Sequence, residues 1–295
     1  MSGKILFLGY GYTAAALIRR LNAEGWTFAA TARSEEKAQK IRADGGEPVM
    51  WSGASFPATA LEGVSAVLIS TPPGETGCPA FATASDAIAG RAQDIKWIGY
   101  LSTNGVYGDH QGRLVDEDAR LHPTTPRARQ RIQAESEWAI FGVERFLPVI
   151  IFRLPGIYGP GRSAFDAIRA GRAQRIFKEG QVFNRMHVDD IAVTLAASLA
   201  DPAAGDLFNL ADDEPAPPQD VIEFACGLMG VEPPPLIPFE EAEMSEMARS
   251  FYADNKRVSN ERIKKALGVR LLYPTYREGL RTIWEGEKAQ GASFV

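Results

Sequence analysis

Cysteine and histidine are scarce in this chain. Its 295 residues include two cysteines, Cys78 and Cys226, and three histidines, His110, His122 and His187. Neither set shows metal-ligand spacing, so no metal site is expected. Two free thiols suit a cytoplasmic protein. Long apolar runs are missing as well. The stretch 192–200 falls far short of the ~20 residues that a membrane span needs. The chain enters a strand-like run at once, which predicts no signal peptide. Basic excess is also absent. Lys and Arg total 32 against 37 Asp and Glu, a net charge of -5, which argues against a general nucleic-acid binder. Apolar content of 45% is ordinary for a globular protein and sufficient for one large α/β domain, or for a core domain with a lobe.

What is present begins at Lys4. Residues 5–8 form an apolar run without alternation, as in a parallel strand buried on both faces. Gly9 and Gly11 follow, and then Ala15, Ala16, Leu17, Ile18 and Leu21 at helix-like spacings. Strand, glycine turn and helix in that order predict a dinucleotide-binding unit. Gly9 allows the tight turn, Gly11 lets a pyrophosphate approach the backbone, and Ala14 permits close packing of helix on strand. The helix N-terminus, with Tyr12 and Thr13, would face the phosphates.

A second strand is predicted over 28–31. Its end, Ala32-Arg33-Ser34, carries no acid for the ribose hydroxyl of NAD. Arg33 suits a 2′-phosphate instead, so NADP is the expected cofactor, with NAD as the other candidate. Further strands are predicted over 48–51, 66–70 and 97–101, and helices over 35–44 and 81–91. The loop from Thr71 and Pro72 falls at a strand's carboxyl end, where open α/β sheets bind ligands.

At Ser102-Thr103-Asn104-Gly105-Val106-Tyr107-Gly108 the sequence begins to resemble the extended short-chain dehydrogenases/reductases, which include the nucleotide-sugar epimerases and dehydratases. The resemblance recurs at Arg153-Leu154-Pro155-Gly156-Ile157-Tyr158-Gly159-Pro160-Gly161, at His187-Val188-Asp189-Asp190, at Phe208-Asn209-Leu210 and in the tail from Lys256 to Gly279. It implies a Rossmann-type, doubly wound parallel sheet with a smaller C-terminal substrate lobe. Residues 1–155 would form the dinucleotide domain, 185–212 would return to it, and 156–295 would form an interleaved lobe. Ser102 and Pro155 would border the cofactor. Asp189 is expected to cap the following helix.

By the same resemblance, Thr103 holds the catalytic hydroxyl position. The helix after 123–126 should then open with a Tyr-x-x-x-Lys pair, and at those places stand Arg127 and Arg131. Arginine keeps its proton at neutral pH and shuttles none. Arg131 retains the ribose-binding role of the lysine. Tyr107, Tyr158 and His110 are the nearby alternative proton carriers, with packing within the family's loops the competing role for the two tyrosines. The short Gly9-x-Gly11-x-x-Ala14 turn is similar to that of the family's atypical members. Asn104 and Gly105 replace the acidic pair of dehydratases. Two readings stay open. One is an NAD(P)-dependent oxidoreductase or epimerase on a small, polar, nucleotide-sugar-like substrate. The other is a non-catalytic NADP(H)-binding regulator or redox sensor. A homodimer also stays open.

Overall fold

The first strand shows how the two faces of the molecule are built. In the computed structural model, which describes residues 2–289 and 291, Lys4–Leu8 forms β1. Side chains alternate across a strand, so Ile5 and Phe7 enter one hydrophobic core while Leu6 and Leu8 enter another. Helices must therefore cover both faces.

The first half of the chain supplies α1 (Tyr12–Asn22), β2 (Thr27–Ala32), α2 (Glu35–Ala43), β3 (Glu47–Met50), β4 (Val64–Ile69), α3 (Pro79–Ala89) and β5 (Trp97–Thr103). The second half continues with β6 (Leu114–Val115), α4 (Pro126–Arg145), β7 (Val149–Leu154), β8 (Gly156–Tyr158), α5 (Ala164–Arg169), β9 (Arg175–Phe177), β10 (Arg185–His187), α6 (Val188–Ala200) and β11 (Leu207–Asn209). It ends with α7 (Pro218–Met229), β12 (Leu236–Pro238), α8 (Glu246–Phe251), β13 (Arg257–Val258), α9 (Glu261–Ala266) and α10 (Tyr276–Ala289).

Seven strands form one parallel sheet in the order β11-β7-β5-β4-β1-β2-β3. Leu17, Ile18 and Leu21 of α1, Ile41 of α2 and Ile191 and Leu195 of α6 cover one face. Ala84 and Ile88 of α3 and Trp138 and Phe141 of α4 cover the other. The fold is a doubly wound α/β sheet of Rossmann type. Each fully buried aliphatic side chain adds about 1.5–3 kcal/mol, so both faces are needed to hold the sheet.

The order reverses between β1 and β4, which places ligand-binding space at the carboxyl ends of those strands. The chain returns twice after β7: α6 packs on α1, and β11 pairs with β7 at the sheet edge. Elsewhere Phe165, Tyr276, Leu280 and Trp284 form a smaller core with α7. Three short parallel pairs, β10 with β8, β12 with β9 and β13 with β6, tie the later segments together.

The start of α6 differs from expectation. His187 is the N-cap, and its Nδ1 accepts the Asp189 N–H at 3.2 Å. Asp189 is left half exposed. Asp190 is the buried acid, and its carboxylate accepts the Leu272 and Tyr273 N–H groups. The helix geometry puts residue 190, not 189, on the core side.

Candidate active site

The ends of β1, β4, β5 and β7 meet at one cleft of about 280 Å³. The glycine turn contributes Gly11, Tyr12, Thr13 and Ala14. The strand ends contribute Ser70, Ser102 and Thr103. Arg131 reaches in from α4, and Pro155, Ile157 and Arg162 come from the segment after β7.

Local geometry explains the turn. Gly9 sits at φ 97°, where a side chain is strained, and a Cβ there would press on Ser70 Oγ at 2.7 Å. The Gly9 N–H donates to Thr31 Oγ1, and Ser70 Oγ donates to the Gly9 carbonyl, each at 2.8 Å. Gly11 is the N-cap of α1, and a Cβ on it meets no protein atom within 4 Å. The space over Gly11 is therefore free. Helix α1 starts with no side-chain cap and no acid in its first turn, so its N-terminal N–H groups and dipole are uncompensated by the protein. Beside Gly9, Thr71 Oγ1 is buried without a protein partner. An open cradle, free helix donors and an orphaned hydroxyl fit the pyrophosphate half of a dinucleotide.

The wall beside Thr103 is polar and buried. Ser102 Oγ donates to Glu135 on α4. Glu135 is also held by Arg153, whose Nη2 donates to Oε2 at 2.8 Å and whose Nε donates to both oxygens. Arg153 Nη1 donates to the Tyr107 hydroxyl at 2.9 Å, and that hydroxyl donates to Asn209 Oδ1 at 2.7 Å. The Asn209 N–H in turn donates to Glu117 Oε1 at 2.8 Å. Glu135 stands on the core-facing stripe of α4, with Ala134, Trp138 and Phe141. An acid in that stripe is a sequence signal for such a network.

The expected site residues fall into three groups. Gly11, Tyr12, Thr13, Ala14, Ser102, Thr103, Arg131 and Pro155 line the cleft together. Arg131 Nη1 donates to the Leu101 carbonyl at 2.6 Å and approaches the Tyr100 hydroxyl at 3.4 Å. Thr103 Oγ1 accepts the Gly105 N–H at 3.1 Å. Tyr12 donates to the Pro160 carbonyl at 2.9 Å, and burial pushes its own pKa up to about 12.

Gly9 and Thr71 lie beneath the turn. Arg33, Ser34 and Pro72 are exposed and outside the lining. Ser34 caps α2 by accepting the Lys37 N–H.

Two of the expected catalytic residues, Tyr107 and Arg127, stand outside the cleft lining. Tyr107 is fully buried, with its hydroxyl accepting from Arg153 and donating to Asn209; burial raises its pKa, and it is not part of the cleft lining. Arg127 lies in the first turn of α4, exposed, with its guanidinium on Met247 Sδ rather than in the cleft. Four residues separate it from Arg131, but the outward start of the helix leaves only Arg131 inside.

Sequence reasoning missed Ser70, Leu101, Leu154, Ile157 and Arg162 as lining residues. The signal for Arg162 was its place directly after Gly159-Pro160-Gly161. It also passed over one Tyr-x-x-x-Lys spacing in the chain, Tyr252 to Lys256. That tyrosine is buried against Phe183 and Phe239, and Lys256 Nζ donates to the Gly108 carbonyl at 2.8 Å. Neither residue lines the cleft. A larger groove of about 430 Å³ lies between α1 and α6 and shares no residue with the cleft. Its charged groups are the exposed Arg19 and Arg20, Glu24 and Asp189. Among the described residues no cluster of three or more His, Cys, Asp or Glu side chains is placed to hold a metal. No helix among them is long and apolar enough to cross a membrane.

Residues 86–211 match the sequence model of the NAD-dependent epimerase/dehydratase family. Over that span, less than half of its length, the chain is similar to that family. The match spans β5, the buried network and the segment after β7.

A solved structure of a functionally unknown conserved protein from Silicibacter pomeroyi DSS is 48% identical, with a TM-score of 0.89, covering 99% of this chain and 100% of that one. MoeE5, in complex with UDP-glucuronic acid and NAD, is 19% identical, with a TM-score of 0.80, covering 98% of this chain and 100% of that one. A 3-diazoavenalumate denitrifying reductase from Streptomyces sp is 28% identical over 182 residues. That alignment takes in 57% of this chain and 58% of the reductase's length.

Proposed function

We propose that this chain is a reductase of the NAD-dependent epimerase/dehydratase type that uses NADP(H) in preference to NAD(H) and acts on a small anionic substrate. The carrying observation is the chemistry of the cleft lining. Its charged side chains are Arg131 and Arg162, its titratable hydroxyl is the raised Tyr12, and it contains no carboxylate, histidine or lysine. A cofactor in the cradle supplies a hydride. The lining supplies hydrogen-bond donors and fixed positive charge, but no group that gains and loses a proton near neutral pH. Epimerisation or dehydration, which need a base, fit this lining less well than one-way reduction of a substrate that takes its proton from water or from its own chemistry. The similarity to a denitrifying reductase supports the same direction.

The roles follow from position. Gly9, Gly11 and the first turn of α1 hold the pyrophosphate. The unused N–H groups of Arg131 face the nicotinamide ribose, while its Nη1 stays anchored on Leu101. Thr103 and Ser102 orient the substrate oxygen. Arg33 at the end of β2 pairs with a 2′-phosphate, a contact worth about 1.5–3 kcal/mol. The domain reading stays as proposed: a dinucleotide domain over 1–155 joined by 185–212, and a substrate lobe in the remainder.

The deciding experiment has two parts. Dissociation constants for NADPH and NADH are measured for the unmodified chain and for Arg33→Ala. The expected result is a preference for NADPH that collapses in the variant; equal affinities would remove the NADP assignment. Oxidation of NADPH is then followed with a panel of sugar nucleotides, sugar acids and aromatic acids. Turnover with a flat rate between about pH 6 and 9 supports a reductase without a protein acid/base. Tight cofactor binding without turnover favours the sensor reading.

A further inference from the structure

We propose that Arg162 clamps the outer face of the cofactor pyrophosphate, which makes the turn 159–163 a cationic strap across the phosphate cradle. This inference rests on the dinucleotide reading of the cleft.

The turn is held in place before any ligand arrives. The Gly159 N–H donates to the Arg162 carbonyl at 3.1 Å, and the Arg162 N–H donates to the Gly159 carbonyl at 3.0 Å. Gly161 between them is at φ 72°. Tyr12, in the first turn of α1, donates its hydroxyl to the Pro160 carbonyl at 2.9 Å, so the strap is tied to the helix whose N-terminus forms the cradle. Contact is so close that a Cβ on Gly159 would collide with the Tyr12 hydroxyl and approach Val188 Cγ1 at 2.8 Å. On the far side, Ser163 and Asp166 form a capping box that fixes the start of α5. The backbone of Arg162 is therefore anchored on both sides, and its side chain is the free part.

The charge pattern gives that side chain a task. Arg162 lines the cleft with Gly11, Tyr12 and Thr13, and its guanidinium lies 6.0 Å from the Tyr12 ring centroid. It is exposed and has no ion pair among the described residues. Of the neighbouring acids, Asp166 is held by Ser163, and Asp189 lies 3.9 Å from Arg19. Positive charge thus comes from Arg162, Arg131 and the bare N-terminus of α1, with no negative group in the lining.

A glycine turn reaches one side of a pyrophosphate through its N–H groups and leaves the outer oxygens toward solvent. A guanidinium fork from the strap supplies the second side, with the geometry that suits phosphate oxygens.

The test measures binding, not turnover. NADPH, ADP-ribose and 2′-AMP are titrated against the unmodified chain, Arg162→Ala and Arg162→Lys. Only the first two ligands carry a pyrophosphate. Arg162→Ala is expected to weaken NADPH and ADP-ribose by about tenfold to a hundredfold. It should leave 2′-AMP within about twofold, and the loss should shrink at high salt because the contact is exposed. Arg162→Lys should recover part of the loss, since lysine keeps the charge without the fork. The exposed position predicts an unchanged melting temperature. Unchanged NADPH affinity in Arg162→Ala, or an equal loss for 2′-AMP, would overturn the clamp while leaving the cradle intact. Failure of the folded, unmodified chain to bind NADPH and ADP-ribose would instead overturn the dinucleotide reading itself.

Discussion

Replacing Glu135 with alanine should destabilise the protein heavily, although this residue does not line the cleft. Glu135 and Arg153 are each 5% exposed, and the guanidinium makes three contacts to the carboxylate. In Glu135→Ala the arginine keeps its charge inside the protein with only the Tyr107 hydroxyl as partner. Stranding one member of a buried pair costs about 3–5 kcal/mol. Unfolding entropy of about 2.1 cal/mol/K per residue, scaled to a chain this long, makes that loss worth roughly 5–8 °C in melting temperature. Thermal melts followed by circular dichroism, together with urea titrations, read the effect. The companion double variant, Glu135→Leu with Arg153→Met, removes both charges and should lie within about 2 kcal/mol of the parent, because an apolar pair of similar volume avoids the desolvation cost. Ser102 loses its acceptor in both variants, so the cleft wall changes equally in the two. A Glu135→Ala melt within about one degree of the parent, or a double variant as unstable as the single, would refute the idea that stranded charge sets the cost.

Three further outcomes are expected. Gly11→Val should fold normally, since a Cβ there meets no protein atom within 4 Å, yet it should lose NADPH binding in a fluorescence titration because the side chain occupies the cradle. Arg131→Ala should weaken cofactor binding and Arg131→Lys should largely keep it, whereas turnover in Arg127→Ala should stay within about tenfold of the parent, well short of the 10²–10⁴ cost of losing a general acid/base. Asp212 is buried with one oxygen unpartnered, and burial pushes its pKa up to about 8 from an ordinary 3.8. The folded state therefore holds a proton that the unfolded state has released, and this group's contribution to stability falls as pH rises from about 4 to 8. Melting curves of Asp212→Asn should show an advantage over the parent that grows across that window and levels off above it; an advantage independent of pH would contradict the assignment.

The sequence alone determined the parts governed by local rules. An unbroken apolar run at 5–8, glycines at 9 and 11 and a helical period from Ala15 specify β1, the turn and α1, because hydrophobic period and backbone freedom act over a few residues. The same rules located the strands ending near Thr31, Ile69 and Thr103, and the family resemblance was legible in motifs that sit where strands end. Tertiary structure decided which side chains share a space. Arg127 and Arg131 have equivalent spacing on paper, yet the entry angle of α4 leaves one in solvent and brings the other onto the Leu101 carbonyl. Tyr107 reads as an available phenol until Arg153 and Asn209, 46 and 102 residues away, close around it. Arg162 joins Tyr12 at the cradle only because the chain folds back across 148 residues to bring Pro160 onto the Tyr12 hydroxyl. Contacts of that length depend on the packing of whole helices and sheets, which local sequence rules do not encode.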